Sequence, residues 1–187
     1  MNLISFDIGI KNMAYCHASI INDELILKNL NKIDLNISKK ANTQVIIDTT
    51  IDFIENLIHN ELQLEPSVPL IILIESQMTS IMKCIQTTIN TYFKCIGKYE
   101  GYDIKTYSLS PKHKLSFMEN YIGNNNYKNN KLNAISFTKE LLENKYNNPD
   151  FLAIYNSTKK KDDISDAFLM IIYFYENNKK NNFKLLK

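Results

Sequence analysis

Residues 159–174 read Lys-Lys-Lys-Asp-Asp-Ile-Ser-Asp-Ala-Phe-Leu-Met-Ile-Ile-Tyr-Phe, and the spacing of this stretch decides how the remaining chain is arranged. Ala167, Met170, Ile171 and Phe174 fall at i, i+3, i+4 and i+7, the pattern of a helix with one apolar face. Asp163 stands four residues before Ala167 and extends that stripe by a turn. Asp166, three residues after Asp163, is its neighbour on the same face. Asp162 and Asp163 also suit a helix start, where the dipole favours acids. That explanation does not reach Asp166, a turn deeper. An unpaired charge on an inward face costs several kcal/mol, on the order of the effective penalty for a buried ion. A cation is therefore expected there, and a divalent metal completed by carboxylates from elsewhere is the economical choice.

Working back to the N-terminus, Asn2 to Gly9 alternates in strand fashion, with Leu3, Ser5 and Asp7 on one side and Ile4, Phe6 and Ile8 on the other. Gly9 to Asn12 reads as a turn, Met13 to Ile21 as a second strand, and Asn22-Asp23 as a tight turn into a third strand, Glu24 to Lys32. Residues 33–42 form a polar linker. Thr43 to Asn60 carries Ile47, Ile51, Ile54, Leu57 and Ile58 on one helical face. Leu70-Ile71-Ile72-Leu73-Ile74-Glu75 is apolar on both faces of a strand, as in a parallel sheet covered by helices, and ends in an acid. Thr79 to Lys98 is a long amphipathic helix ended by Gly97 or Gly101. Tyr102 to Ser108 is a short strand. Ser110-Pro111 opens a helix, residues 120–130 are a polar loop, Leu132 to Lys145 a helix and residues 146–160 a second loop. The last helix follows, with a frayed tail over 178–187. The order predicts an α/β protein in one domain, 1–187: a mixed five-stranded sheet, three antiparallel strands then two parallel, flanked by helices.

Composition bounds the function. At 187 residues, 44% hydrophobic and 22% charged, the chain suits one globular domain. No apolar run reaches a membrane span, and Asp7 and Lys11 interrupt any signal-peptide core, so no membrane partner is expected. Cys16, Cys84 and Cys95 have no metal-ligand spacing and read as reduced thiols, which places the chain in a cytoplasmic compartment. All 22 basic residues are lysine, so phosphate contacts must come from point charges, amides and hydroxyls rather than the guanidinium fork. The net charge of +2 is uneven: residues 1–127 hold 11 lysines against 13 acids, and residues 128–187 hold 11 against 7. The basic final third could face a polyanion.

Asp7 ends the first strand and Glu75 the fourth. If those strands are neighbours, the acids stand side by side, and the last helix lays Asp163 and Asp166 over them. Like charges ~4 Å apart repel by ~4 kcal/mol at an effective dielectric near 20, so four carboxylates together call for divalent cations. Two such ions suit in-line displacement at a phosphodiester.

Asp7-Ile8-Gly9-Ile10-Lys11-Asn12, Ile74-Glu75-Ser76-Gln77, Ser110-Pro111-Lys112 and Lys160-Lys161-Asp162-Asp163-Ile164-Ser165-Asp166-Ala167 occur in this order, and in that order the chain resembles the RuvC-like Holliday junction resolvases, most of all their poxvirus branch. The resemblance spans nearly the whole chain. It implies a ribonuclease H-like fold, a homodimer, a requirement for Mg²⁺ that Mn²⁺ can replace, and symmetric cutting of four-way DNA junctions, as in resolving viral DNA concatemers in the host cytoplasm. By motif, it implies that Asp7, Glu75, Asp163 and Asp166 are metal ligands and that Lys112 stabilises charge at the scissile phosphate, with Lys114 competing for that role. Lys159, Lys160 and Lys161 precede the site and could meet phosphates. Lys11 and Gln77 sit beside ligand positions and could touch DNA.

Two other classes fit parts of the pattern. Sugar-kinase and actin-type ATPases also begin with Asp-x-Gly, but they need a second glycine-rich loop. Gly9, Gly97, Gly101 and Gly123 form no such cluster. A non-catalytic junction-binding module on the same fold is the other alternative, and the retained acids argue against it.

Overall fold

The structure is a computed structural model and describes residues 1–110 and 127–180. Five strands, β1 (Asn2–Asp7), β2 (Met13–Ile21), β3 (Glu24–Ile33), β4 (Leu70–Glu75) and β5 (Ile104–Leu109), form one sheet in the order β3-β2-β1-β4-β5. β1, β2 and β3 pair antiparallel, while β4 runs parallel to both β1 and β5. This is the predicted mixed sheet. Its helices are α1 (Thr43–Leu57), α2 (Ser80–Glu100), α3 (Tyr127–Glu140), α4 (Pro149–Ser157) and α5 (Lys161–Lys180).

Strand alternation divides the core into two layers. Ile4, Phe6, Met13, Tyr15, Ile72 and Ile74 face α1 and α2, where they meet Ile54, Ile85, Ile89 and Phe93. Leu3, Ala14, Cys16, Ala18, Ile71 and Leu73 face α5. β4 is buried along its whole length, as a strand covered on both faces must be. The small residues Ala14, Cys16 and Ala18 let α5 lie close to the sheet. Asn22 (φ 52°) and Asp23 (φ 63°) supply the left-handed pair that a two-residue hairpin turn requires.

α5 is apolar nearly all round: Ile164, Ser165 and every residue from Ala167 to Ile172 are buried. The sheet covers one side and α3 and α4 the other. The stripe read from the sequence is thus one part of a wider buried surface.

The differences from the sequence reading are local. The α1 segment widens into a π-helical turn, Ile58–Leu62, rather than continuing as regular helix to Asn60. Gly101, at φ 78°, ends α2, whereas Gly97 lies within it, where an added Cβ would sit 3.3 Å from the Ile104 Cβ. α3 starts at Tyr127, so part of the expected 120–130 loop is helical. The loop expected over 146–160 contains α4: Asn148 caps it by accepting from the Asp150 and Phe151 amides, and Pro149 occupies the first turn. α5 runs through Asn178, which is buried against the protein, so the first residues of the expected frayed tail belong to the helix. The helix expected from Ser110-Pro111 and the lysines Lys112 and Lys114 lie outside the described residues.

Candidate active site

The acids gather where the parallel strands end. Phe6 pairs with Ile74, so the next residues, Asp7 and Glu75, end neighbouring strands side by side. Both project to the α5 face, because Leu3 and Ser5 precede Asp7 on that face and Ile71 and Leu73 precede Glu75. α5 brings Asp166 over them. One carboxylate oxygen each from Asp7, Glu75 and Asp166 lies within 4.8 Å of the others. Asp7 and Glu75 are each only 9% exposed. Three hard oxygen donors converging at that spacing suit a hard divalent cation.

Ser5 fixes how α5 sits. Its buried hydroxyl donates to the Ala167 carbonyl at 2.6 Å, one residue beyond Asp166 and two residues before Asp7 on the strand. A hydroxyl in an apolar layer is tolerated when it is bonded. Ser5→Ala removes the bond and is expected to cost about 1 kcal/mol. That is a fall in Tm of about 2–4 °C by differential scanning calorimetry for a chain of this size.

Glu75 also has a fixed neighbour. The Gln77 side-chain amide donates to Glu75 Oε2 at 3.4 Å, and the Gln77 backbone N–H donates to Gln86 Oε1 at 3.0 Å. Gln86 in turn donates to the Ser108 hydroxyl at 3.3 Å, so α2 and β5 hold the segment after β4. Gln77, read as a DNA-contact candidate, stands in this structure against a carboxylate. At the other end of the β1–β2 turn, a Cβ on Gly9 would meet the Asn12 carbonyl oxygen at 2.8 Å. The turn that follows Asp7 therefore needs glycine.

Asp163 lies outside the set of three. Its Oδ2 is buried and, among the described residues, accepts no hydrogen bond. The Lys32 ammonium lies 3.8 Å away. Burial, then the charge of Asp162, push the Asp163 carboxyl above its usual range, while Lys160, Lys32 and Lys131 pull against them. Asp162 behaves differently. Burial opposes its charge, but the Lys131 ammonium, bonded at 2.6 Å, outweighs it and holds the carboxyl low. Asp162 thereby ties α5 to α3.

The lysine run divides. Lys161 donates to the Asn156 and Thr158 carbonyls, both at 3.0 Å, and lies 5.6 Å from the Tyr155 ring centre. It thus closes the end of α4, where a cation suits the helix dipole. Lys159, Lys160 and Lys11 are exposed. A groove of about 500 Å³ lies at the opposite end of β4 and β5, lined by Glu55, Glu65, Glu100, Tyr92 and Tyr102. Its three carboxylates oppose binding of a polyanion. The sequence reading did not single out Ser5, Lys32 or Lys131. Ser5 carried a signal, as a polar residue on an inward strand face, but Lys32 and Lys131 carried none.

The model of the Poxvirus A22 protein family matches residues 1–178. The chain belongs to that family. A protein of Acanthamoeba polyphaga mimivirus is 33% identical over 114 residues, covering 54% of this chain and 27% of that protein; the chain thus spans about a quarter of that relative's length. The yeast mitochondrial Holliday junction resolvase Ydc2 superposes with a TM-score of 0.69 at 20% identity, covering 99% of this chain and 84% of that one. The fowlpox virus resolvase in complex with substrate Holliday junction DNA gives 0.58 at 21% identity, covering 95% and 98%. The Thermus thermophilus RuvC in complex with a Holliday junction substrate gives 0.55 at 9% identity, covering 95% and 96%. The fold of this A22-family chain is therefore RuvC-like, of the ribonuclease H-like type.

Proposed function

We propose that this chain is a divalent-metal-dependent endonuclease that resolves four-way DNA junctions by paired nicks. The observation that carries the reading is the meeting of Asp7, Glu75 and Asp166, contributed by β1, β4 and α5, with carboxylate oxygens within 4.8 Å of one another. Membership of the A22 family and the RuvC-like fold support it. The buried Asp163 oxygen, on α5 one turn before Asp166 and, among the described residues, without a hydrogen-bond partner, also fits a site built for cations. Asp7, Glu75 and Asp166 would hold Mg²⁺, or Mn²⁺ in its place, with Asp163 as the fourth ligand. Such an ion would supply Lewis-acid activation of water and offset charge on the phosphate.

The reaction is hydrolysis: the water oxygen bonds to phosphorus, the P–O3′ bond breaks, and a 5′-phosphate and a 3′-hydroxyl remain. The chain's own side chains orient the donors and receive the backbone. Gln77 holds one Glu75 oxygen, and Ser5 sets the depth of α5. Lys159 and Lys160, exposed and just ahead of Asp162 and Asp163 in the chain, would meet phosphates, with Lys11 in the β1–β2 turn. Lys112 or Lys114 would stabilise charge at the scissile phosphate. Recognition through lysines reads backbone and shape, so binding weakens steeply with salt. A junction has two-fold symmetry, and a homodimer would place one site at each of two matching strands. No helix among the described residues is long and apolar enough to cross a membrane, and the A22 family suggests viral DNA in the host cytoplasm as the setting.

The test is incubation of the protein with an end-labelled four-way junction and Mg²⁺. Symmetric cleavage that EDTA stops is the expected result. Tight junction binding without cleavage in Mg²⁺ or Mn²⁺, by folded protein, would replace this reading with a binding module.

A further inference from the structure

Among the described residues, Lys32 is the one ion-pair partner of the buried Asp163 oxygen, and its placement follows from the sheet register. Asp7 pairs with Ala14, and Ala14 pairs with Lys32. Paired residues share a face, so Asp7, Ala14 and Lys32 form a row across β1, β2 and β3 on the side covered by α5. The alanine between them leaves room for the lysine to reach over β2. Its ammonium arrives 3.4 Å from the Asn12 side-chain oxygen and 3.8 Å from Asp163 Oδ2, with the lysine and aspartate side chains only 20% and 17% exposed. At 3.8 Å the contact is electrostatic and too long for a hydrogen bond. It leaves the Asp163 oxygen with a neutralising charge nearby and its lone pairs unused.

We infer that the Lys32 ammonium is a tethered cation holding the Asp163 position in the metal-free protein, and that a second divalent ion binds there only by displacing it. The inference rests on the metal-dependent reading of the Asp7, Glu75 and Asp166 trio. Two unequal cation positions follow. The trio offers three carboxylates to one ion. The Asp163 position offers a carboxylate already countered by a lysine, so a dication entering it must break that pair and tolerate the ammonium close by. The first ion binds more tightly than the second, and the gap between them is set by Lys32.

Isothermal titration of the metal-free chain with Mn²⁺, without DNA, separates the two steps. Lys32→Met is expected to strengthen the weaker step by about tenfold, by removing a like charge some 4 Å away, and to leave the stronger step unmoved. Asp163→Asn in the Lys32→Met background is expected to abolish the weaker step. The apparent Tm of Lys32→Met should also rise more with Mn²⁺ than that of the unaltered chain, because binding stabilises the folded state by mass action. Should Lys32→Met not fold, Lys32→Gln serves in its place, since its amide can still donate to Asn12. Unchanged steps in the folded Lys32 variant would overturn the role given to Lys32 while leaving the trio intact. Unchanged Mn²⁺ binding in Asp7→Asn and Asp166→Asn would overturn the metal site itself, and with it this inference.

Discussion

Asp166→Asn is expected to slow cleavage of a four-way junction by about a thousandfold, with the fold and junction binding retained. The substitution keeps the side chain's size and one carbonyl oxygen, and removes the charge. Divalent metals supply several kcal/mol of transition-state charge stabilisation at phosphoryl centres, and each ~1.4 kcal/mol is a factor of ten in rate. Losing one of three carboxylates that meet within 4.8 Å should forfeit about 4 kcal/mol of that effect. The fold tolerates the change because Asp166 is not fully buried and the Ser5 contact is made by the backbone of Ala167. Binding should tolerate it, because the proposed phosphate contacts are lysines. Single-turnover cleavage under excess enzyme measures the rate, a gel shift in EDTA measures binding, and circular dichroism checks the fold. A variant that cuts at the unaltered rate would dissociate the carboxylate trio from catalysis.

How much of this was legible in the sequence depends on the range over which each signal acts. The sheet was legible, because strand alternation in Asn2–Asp7 and the doubly apolar Leu70–Glu75 each report their own surroundings. So were the acids at the strand ends, since a charge terminating an apolar run has few structural uses. α4 was hidden in a polar segment. Its start was encoded in Asn148-Pro149, but nine residues with Phe151 and Tyr155 as anchors give only a brief periodic signal. The separation of Asp163 from the other three acids was not legible at all. Its ion-pair neighbour Lys32 lies on an edge strand more than a hundred residues away and reaches Asp163 over Ala14. Lys161 likewise reads as one of three equivalent lysines until the end of α4 is seen to occupy it.

His17 is expected to cost the folded chain about 3 kcal/mol between neutral pH and pH 4, and His17→Gln to remove that loss. His17 sits mid-strand in β2 at 6% exposure, and its buried Nε2 has, among the described residues, no hydrogen-bond partner. Burial, reinforced by the charge of Lys28, lowers its pKa from 6.5 to about 4. The unfolded chain exposes the imidazole and takes up a proton near 6.5, whereas the native chain resists until about 4. Between those values the unfolded state binds more protons, so stability falls as pH falls through that window and is flat above it. Keeping the imidazole neutral across that window is worth roughly 3 kcal/mol, a large part of a typical domain's stability of about 5–15 kcal/mol. Carboxylates titrate at the lower edge of the same window, so the readout is a difference. Urea unfolding of the unaltered chain and of His17→Gln at pH 7, 6, 5 and 4 should give curves that separate by about 2 kcal/mol at pH 5. Their separation should approach 3 kcal/mol at pH 4. Parallel curves would mean that His17 accepts its proton in the folded chain, which requires water or a carboxylate to reach the middle of β2.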